Sequence, residues 1–428
     1  MLKTRDLSRS LPQTLVQVAQ FYWRKLYVRV ALMGLLAFVA LGFTQIIEVM
    51  VPDQMAQTVP GASADRLLNT IANAMLAVTT FSLTVMVSVY RSSSSQWTPR
   101  VHQLIMQDAV TQNTLAAFIG AYVFALLAIV LRETGIYVDD RALVLFWVTV
   151  LVLAYVVWSL IRWVLHLQTL GSLVHTTRQV EDITSTQFRQ RLDTPCLGAV
   201  AWDGTVPESA VAIRSKRSGY VQHIYPEALQ EQASKAGVTL YLSKSIGSFV
   251  FLQEPLLWVE GDIEGGQDFE DEVHNRVVLG DVRTYDQDPR FGLLVMSEIG
   301  SKALSPGIND PGTAIDVLNR SARIPSLYKD ETAGDAEPIY DRLRVQPIDP
   351  ADLIHDAYSG IARDGADSVE VQQRLQRCIT GLLQHPDEGL QQAAETLGRD
   401  YLDRALDALD WEADRDRLLS KVAKRLRT

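Results

Sequence analysis

Cysteine is the scarcest residue in this chain: only Cys196 and Cys378 occur, far apart and in no CxxC or Cys/His spacing. Two isolated thiols build neither a disulfide framework nor a zinc cluster, and a reducing compartment suits them best. Catalytic signatures are also missing. No GxxxxGKS/T, GxGxxG, HExxH or GxSxG pattern occurs and the seven histidines are dispersed, so no nucleophile, phosphate cradle or metal pair is nominated. The acidic stretch 268–288, with Asp268, Glu270, Asp271, Glu272, Asp281, Asp286 and Asp288 around His274, has no D-x-D-x-D-G loop and no i, i+4 histidine pair. It reads as a solvated face rather than a metal site. We therefore expect neither an enzyme nor a resident cofactor or metal.

Charge is missing in a different way. The net charge of −10 and mean hydropathy of +0.05 suit an ordinary soluble acidic protein. Divided at residue 168, the chain falls into two chemistries: 12 Lys/Arg against 8 Asp/Glu before it, and 28 against 42 after it. The acidic second half lacks the clustered cations that displace counterions from phosphates, so nucleic acid is not an expected partner.

Four windows of the first half carry no charge at all: Val30–Ile47, Leu67–Tyr90, Ala109–Leu131 and Ala142–Ile161. About 20 apolar residues in helix cross about 30 Å of hydrocarbon, and helix is the one open-chain form that satisfies its own backbone there. Four transmembrane helices are expected, with membrane lipid as the surrounding partner. Flanks on one side carry Lys3, Arg5, Arg9, Arg24, Lys25, Arg29, Arg91, Arg100 and Arg162; the other two connectors carry only Arg66, Arg132 and Arg141 beside carboxylates that include Asp53, Asp65, Glu133, Asp139 and Asp140. The positive-inside rule places both termini in the cytoplasm. Residues 1–29 read as a cytoplasmic amphipathic segment, with Phe21, Tyr22, Trp23 and Tyr27 beside Arg24, Lys25 and Arg29.

The spans differ in polarity. In the second, Asn69, Asn73, Thr80, Thr84 and Ser88 recur at steps of 4, 7, 4 and 4, so one helix face carries an uncharged polar stripe, with Thr79 and Ser82 to its side. Such side chains either bond within the protein or line a wet path. No charged residue sits mid-span, which favours a passive pore over a pump. Segment Arg91–Arg100 is polar and basic, limited by Pro99, and reads as a loop or a cytoplasmic mouth formed by Arg91 and Arg100. The third span aligns Ala117, Ala121, Ala125 and Ala128 with Gly120 beside them, a close-packing face. Trp147, Trp158 and Trp163 read as interfacial anchors.

Beyond a four-helix membrane domain at 30–168 and a helical connector at 169–198, the pattern becomes α+β over 199–325. Strands are expected at Val211–Arg214, Gly219–Ile224, Val238–Ser243 and Ser248–Phe251, with a helix over Pro226–Ala236. The run Gly247–Val259 follows the strand–turn–strand pattern of small β-sandwiches of the biotinyl and lipoyl type, without their attachment lysine. In Ala303-Leu-Ser-Pro-Gly-Ile-Asn-Asp-Pro-Gly-Thr-Ala314, Asp310 reads as an N-cap before a helix from Pro311 to about Arg323. Ser305, Asn309, Asp310 and Thr313 either complete that cap or hold a small ligand. Residues 326–349 read as a loop and strand (Arg342–Ile348), and 350–428 as a C-terminal helical region in two stretches.

Several of these segments also carry a resemblance. Phe81-Ser-Leu with Gln96-Trp-Thr-Pro-Arg100, Gly219-Tyr-Val-Gln222 with Gly247-Ser-Phe-Val250, and Arg283-Thr-Tyr-Asp-Gln-Asp-Pro-Arg-Phe-Gly292 running into Ala303–Ala314 are together similar to a bacterial family of membrane proteins, domain of unknown function 2254. The resemblance covers nearly the whole chain. It implies a four-span inner-membrane protein with a cytoplasmic domain, and assigns no activity. The leading expectation is a homo-oligomeric ion pore or transport protein with an acidic vestibule or sensor domain. The rival is a membrane-anchored sensor or scaffold whose cytoplasmic domain binds a protein or small ligand.

Overall fold

A computed structural model describes residues 26–50, 61–106, 108–134, 143–262, 266–333 and 337–427. The expected amphipathic segment therefore lies outside the described residues except at its last four positions, as do the connectors 51–60 and 135–142. The chain divides into two compact units, Met1–Thr176 and Thr177–Thr428.

The first unit is built on α1 (Leu26–Met50), α2 (Gly61–Gln96), α3 (Pro99–Met106), α4 (Ala109–Glu133) and α5 (Leu143–Leu167). Among the described residues, four helical segments are long and apolar enough to cross a membrane. Helix α4 is the centre of the bundle and packs against α1, α2 and α5. Its small-residue face explains why: Ala117, Ala121, Ala125 and Ala128 are all buried, and a Cβ added at Gly120 would meet Met33 Cβ at 2.8 Å. Small side chains let helix backbones approach where lipid supplies no hydrophobic drive. By contrast, α1 and α5 expose Leu35, Leu36, Phe38, Phe43, Trp147, Leu151 and Trp158. Trp163 departs from the anchor expectation, because it turns inward and is 1% exposed.

Helix α2 runs further than its charge-free window. Residues 91–96, expected as loop, continue the helix, since nothing before Pro99 breaks it; Pro99 then opens α3, where its missing N–H costs nothing.

Helix α6 (Leu173–Asp193) leads into the second unit, whose strands are β1 (Ala199–Ala201), β2 (Val211–Arg214), β3 (Gly219–Ile224), β4 (Thr239–Leu242), β5 (Phe249–Val250), β6 (Pro255–Glu260), β7 (Val277–Gly280) and β8 (Tyr340–Val345). Five form a sheet of order β1-β8-β4-β6-β2, parallel from β1 through β8 to β4 and antiparallel from there to β2. The rest form an antiparallel sheet, β5-β3-β7. Helices α7 (Pro226–Ala236) and α8 (Gly266–Arg276) share one core with both sheets through Leu229, Ala233, Phe269 and Val273 against Ile213, Val221, Leu240, Val250 and Leu257.

The expected strands are present, yet a small antiparallel sandwich is too simple a description. Strand β8, from the segment read as a loop and strand, lies inside the larger sheet between β1 and β4. Parallel pairing needs a long crossover, here nearly 100 residues from β4 and more from β1, and a local pattern carries no trace of it.

The remaining helices are α9 (Phe291–Ala303), α10 (Pro311–Ala322), α11 (Pro350–Asp364), α12 (Val369–Leu382), α13 (Glu388–Ala408) and α14 (Glu412–Leu419). They pack mainly on one another. The long stretch expected from 350 is broken where Gly365 ends α11 and Ser368 precedes α12.

Candidate functional site

Polar stripe and bundle core lie on opposite faces of α2. At about 100° per residue, the buried Ala64, Leu68, Ile71, Met75, Ser82 and Met86 fall on one side. Asn69, Asn73, Thr80, Thr84 and Ser88 fall roughly 180° away, and all five are exposed. Ser82, expected beside the stripe, is instead fully buried. The hydroxyls turn back on their own helix: Thr80 Oγ1 donates to Leu76 O (2.5 Å) and Thr84 Oγ1 to Thr80 O (2.9 Å). Asn69 Nδ2 donates to Asp65 O at 3.0 Å. Asn73 has no hydrogen-bond partner among the described residues.

Two polar levels bracket this face. At one, Arg132 of α4 forms a two-point ion pair with Asp65 of α2, Nη2 to Oδ2 being 3.0 Å. At the other, Arg29 Nη1 donates to Asn113 Oδ1 (2.8 Å) and Ala109 O (3.1 Å), Asp108 meets His166 Nε2 at 2.8 Å, and Ser93 Oγ lies 2.7 Å from His102 Nδ1. Asp108 also caps α4, accepting from Thr111 N at 2.7 Å. From Asn113 to Arg132 the helix rises about 28 Å at 1.5 Å per residue, close to one hydrocarbon thickness. Midway on α2, between Asp65 and Tyr90, falls residue 77 or 78. Asn73 is then about 7 Å and Thr80 about 4 Å from the centre of the apolar layer. Arg91 is exposed and Arg100 half-buried on the side of the second polar level.

The loop before α10 is organised by its own aspartate. Asp310 Oδ1 accepts from Thr313 N (3.0 Å) and Oδ2 from Thr313 Oγ1 (2.6 Å); these bonds hold its carboxyl below the usual range. Ser305 Oγ donates to Lys302 O, and the Ser305 carbonyl accepts from the amides of Ile308 and Asn309. Asn309 adopts φ +50° to close the turn. A carboxylate thus already occupies the helix start that an anionic ligand would need.

Asp288 corrects the solvated-face expectation for the acidic stretch. It is 2% exposed, joined to Arg283 through Nε at 2.9 Å and Nη2 at 3.1 Å, and caps the start of α9 through the amides of Arg290 and Phe291.

Sequence reading missed a second enclosed carboxylate in this unit. Glu331, its side chain 1% exposed, accepts from Arg191 Nε (2.5 Å) and Nη2 (2.9 Å), Cys196 N (3.0 Å) and Ile348 N (2.7 Å). It fixes a turn in which Cys196 and Leu197 both take positive φ, +49° and +59°. Burial, with Glu331 beside it, pushes the Cys196 thiol up to about 11. Nearly three turns upstream on α6, Glu181 accepts from Arg320 Nη1 (2.9 Å) and Arg323 Nη1 (2.8 Å). The partners lie some 140 residues apart, so no spacing announces them.

Fold and site together define a membrane protein: a bundle of long apolar helices followed by a mixed α/β region. Residues 23–381 match the family described as predicted membrane protein DUF2254, and the chain belongs to that family. Among curated proteins it is similar to uncharacterized proteins of Mycobacterium bovis and of two strains of Mycobacterium tuberculosis. Each is 28% identical over 302 residues, covering 66% of this chain. The aligned part is 55% of those proteins, so the chain spans about half the length of the curated relatives it matches. No solved structure matches.

Proposed function

We propose that the protein is a homo-oligomeric passive ion pore of the bacterial inner membrane, with both termini in the cytoplasm and the stripe of α2 lining the path. The observation that carries this reading is the outward position of Asn69, Asn73, Thr80, Thr84 and Ser88, away from the chain's own bundle. Back-bonded threonines sit in lipid at little cost, but an amide such as Asn73 about 7 Å from the centre of the layer does not. Copies arranged about an axis bring one stripe from each together around water. The orientation rests on the nine basic residues of one set of flanks against three of the other. The excess of carboxylates after residue 168 favours cations.

The test is flux through the full chain reconstituted in vesicles. Thr80→Trp should block it, and reversal potentials in a salt gradient should report cation preference. Wild-type vesicles that pass no small ion sink the pore reading.

A second reading, a membrane-anchored sensor, draws on α6. This helix is tied to the second unit at Glu181 and again at Arg191, ten residues on, and a ligand there would act on a helix already held as a lever. Its mark would be ligand-dependent thermal stabilisation of a chain that conducts nothing.

A further inference from the structure

Three chain segments meet at one end of the sheet β5-β3-β7. Gly219 and Tyr220 of β3 pair with Val250 and Phe249 of β5, and Tyr220 also pairs with Gly280 of β7. This register brings together residues 214–218 before β3, the turn 251–254 after β5 and residues 281–282 after β7. The turn is held from several sides. Ser215 N donates to Glu254 O and Gln253 N to Ser215 O, both at 2.9 Å, Leu252 N donates to Ser218 Oγ at 2.9 Å, and Phe251 N donates to Glu254 Oε2 at 2.8 Å. Gln253 takes φ +68° to close it.

This well-bonded turn presents apolar side chains to the outside. Phe251 is 64% exposed, Leu252 56% and Phe249 41%, although Val250 between them is fully buried. The two phenyl rings meet edge to face at 5.1 Å, and Val282 is also exposed at the same end. The adjoining charges are unevenly matched. Lys216 pairs with Asp271 and Lys244 with Glu254. Arg214 and Arg217, both exposed, donate instead to the backbone carbonyls of Gln253 and Leu279. Two exposed guanidinium groups thus stand at this end beside the carboxylate of Asp281, in a half of the chain where carboxylates outnumber cations 42 to 28.

We propose that this turn is a lipid-docking tip: Phe251, Leu252 and Phe249 enter the boundary between headgroups and acyl chains of an anionic bilayer, while Arg214 and Arg217 bind lipid phosphates. Apolar side chains at the apex with cations around them match an interfacial anchor, whereas a peptide ligand would call for a groove. Guanidinium groups are suited to phosphate by geometry and weak hydration. A chain that carries its own apolar helices keeps a bilayer surface within reach at high effective concentration, so modest affinity suffices. The proposal holds whether or not the stripe of α2 conducts.

The experiment uses the full chain. Both native cysteines are buried, so Leu252→Cys directs an environment-sensitive fluorophore to the tip. The labelled protein is reconstituted in vesicles of phosphatidylcholine alone or with phosphatidylglycerol, each with a shallow lipid-borne spin quencher. The expected result is blue-shifted, quenched emission in the phosphatidylglycerol vesicles that weakens with salt. Arg214→Gln and Arg217→Gln should each reduce the docked population about fivefold. Phe251→Ser should abolish docking, and Lys235→Gln, an exposed cation on α7, should leave it unchanged. Emission unquenched in both vesicle types would overturn the proposal. So would quenching indifferent to phosphatidylglycerol and to both arginines, or a blue shift without quenching, which marks a protein surface as the cover.

Discussion

The two units bury their residues by opposite rules. In the first, many large apolar side chains outside α4 face outward, because the surrounding solvent is hydrocarbon; in the second, the core is apolar and the buried charges are paired. An exposed leucine therefore carries no message in α1, whereas an exposed asparagine in α2 does. In the α/β unit it is exposed Phe251 that is informative, and buried Glu331 that must be accounted for. The same chemical group is ordinary in one region and costly in the other.

That contrast is open to measurement. The largest effect is expected where a charge is enclosed. Glu331→Ala strands the Arg191 guanidinium and the amides of Cys196 and Ile348, and should cost about 3–5 kcal/mol in chemical unfolding of the full chain in detergent. A loss under about 1 kcal/mol would show that water reaches the site. Next come the two close helix approaches. Gly292→Ala places a Cβ 1.6 Å from Thr184 Oγ1, and Gly120→Leu drives a side chain into Met33; each should cost about 1–3 kcal/mol. Unfolding followed separately in the two units, by hydrogen exchange, should assign the first to the α/β unit and the second to the helix bundle.

Smaller still is the cap of α10. Asp310→Ala should cost about 1 kcal/mol at neutral pH. Because the folded-state carboxyl titrates below its ordinary value, this contribution is present above the unfolded-state pKa of about 3.9. It should fade as pH falls through the lower folded-state value, so wild type and variant should converge in acid. Smallest is Thr84→Val: a hydroxyl bonded only to its own helix should change bundle stability by less than about 0.6 kcal/mol. A large loss instead would mean that Thr84 contacts another copy.

How much was legible in the sequence follows the range of each interaction. The apolar windows, the alanine face of α4 and the Asp310 cap depend on neighbours within a few turns, and these were readable. Strand β8 was readable as a strand but not as the partner of both β1 and β4. The ion pair of Glu331 with Arg191 and the contact of Asp108 with His166 join residues 140 and 58 positions apart, and Asp288 was misjudged because its acidic neighbours resemble a solvated run.

The sequence by itself determined which segments suit lipid, which stretch is acidic, and where the polar stripe lies along α2, since each depends on composition and helical period alone. Only the tertiary structure decided that the stripe faces away from the bundle, that Glu331 is enclosed, and that Phe251 and Leu252 share an end of a sheet with Arg214 and Arg217. Those depend on which distant segments pack together, and packing sets what each side chain faces: protein, water or lipid.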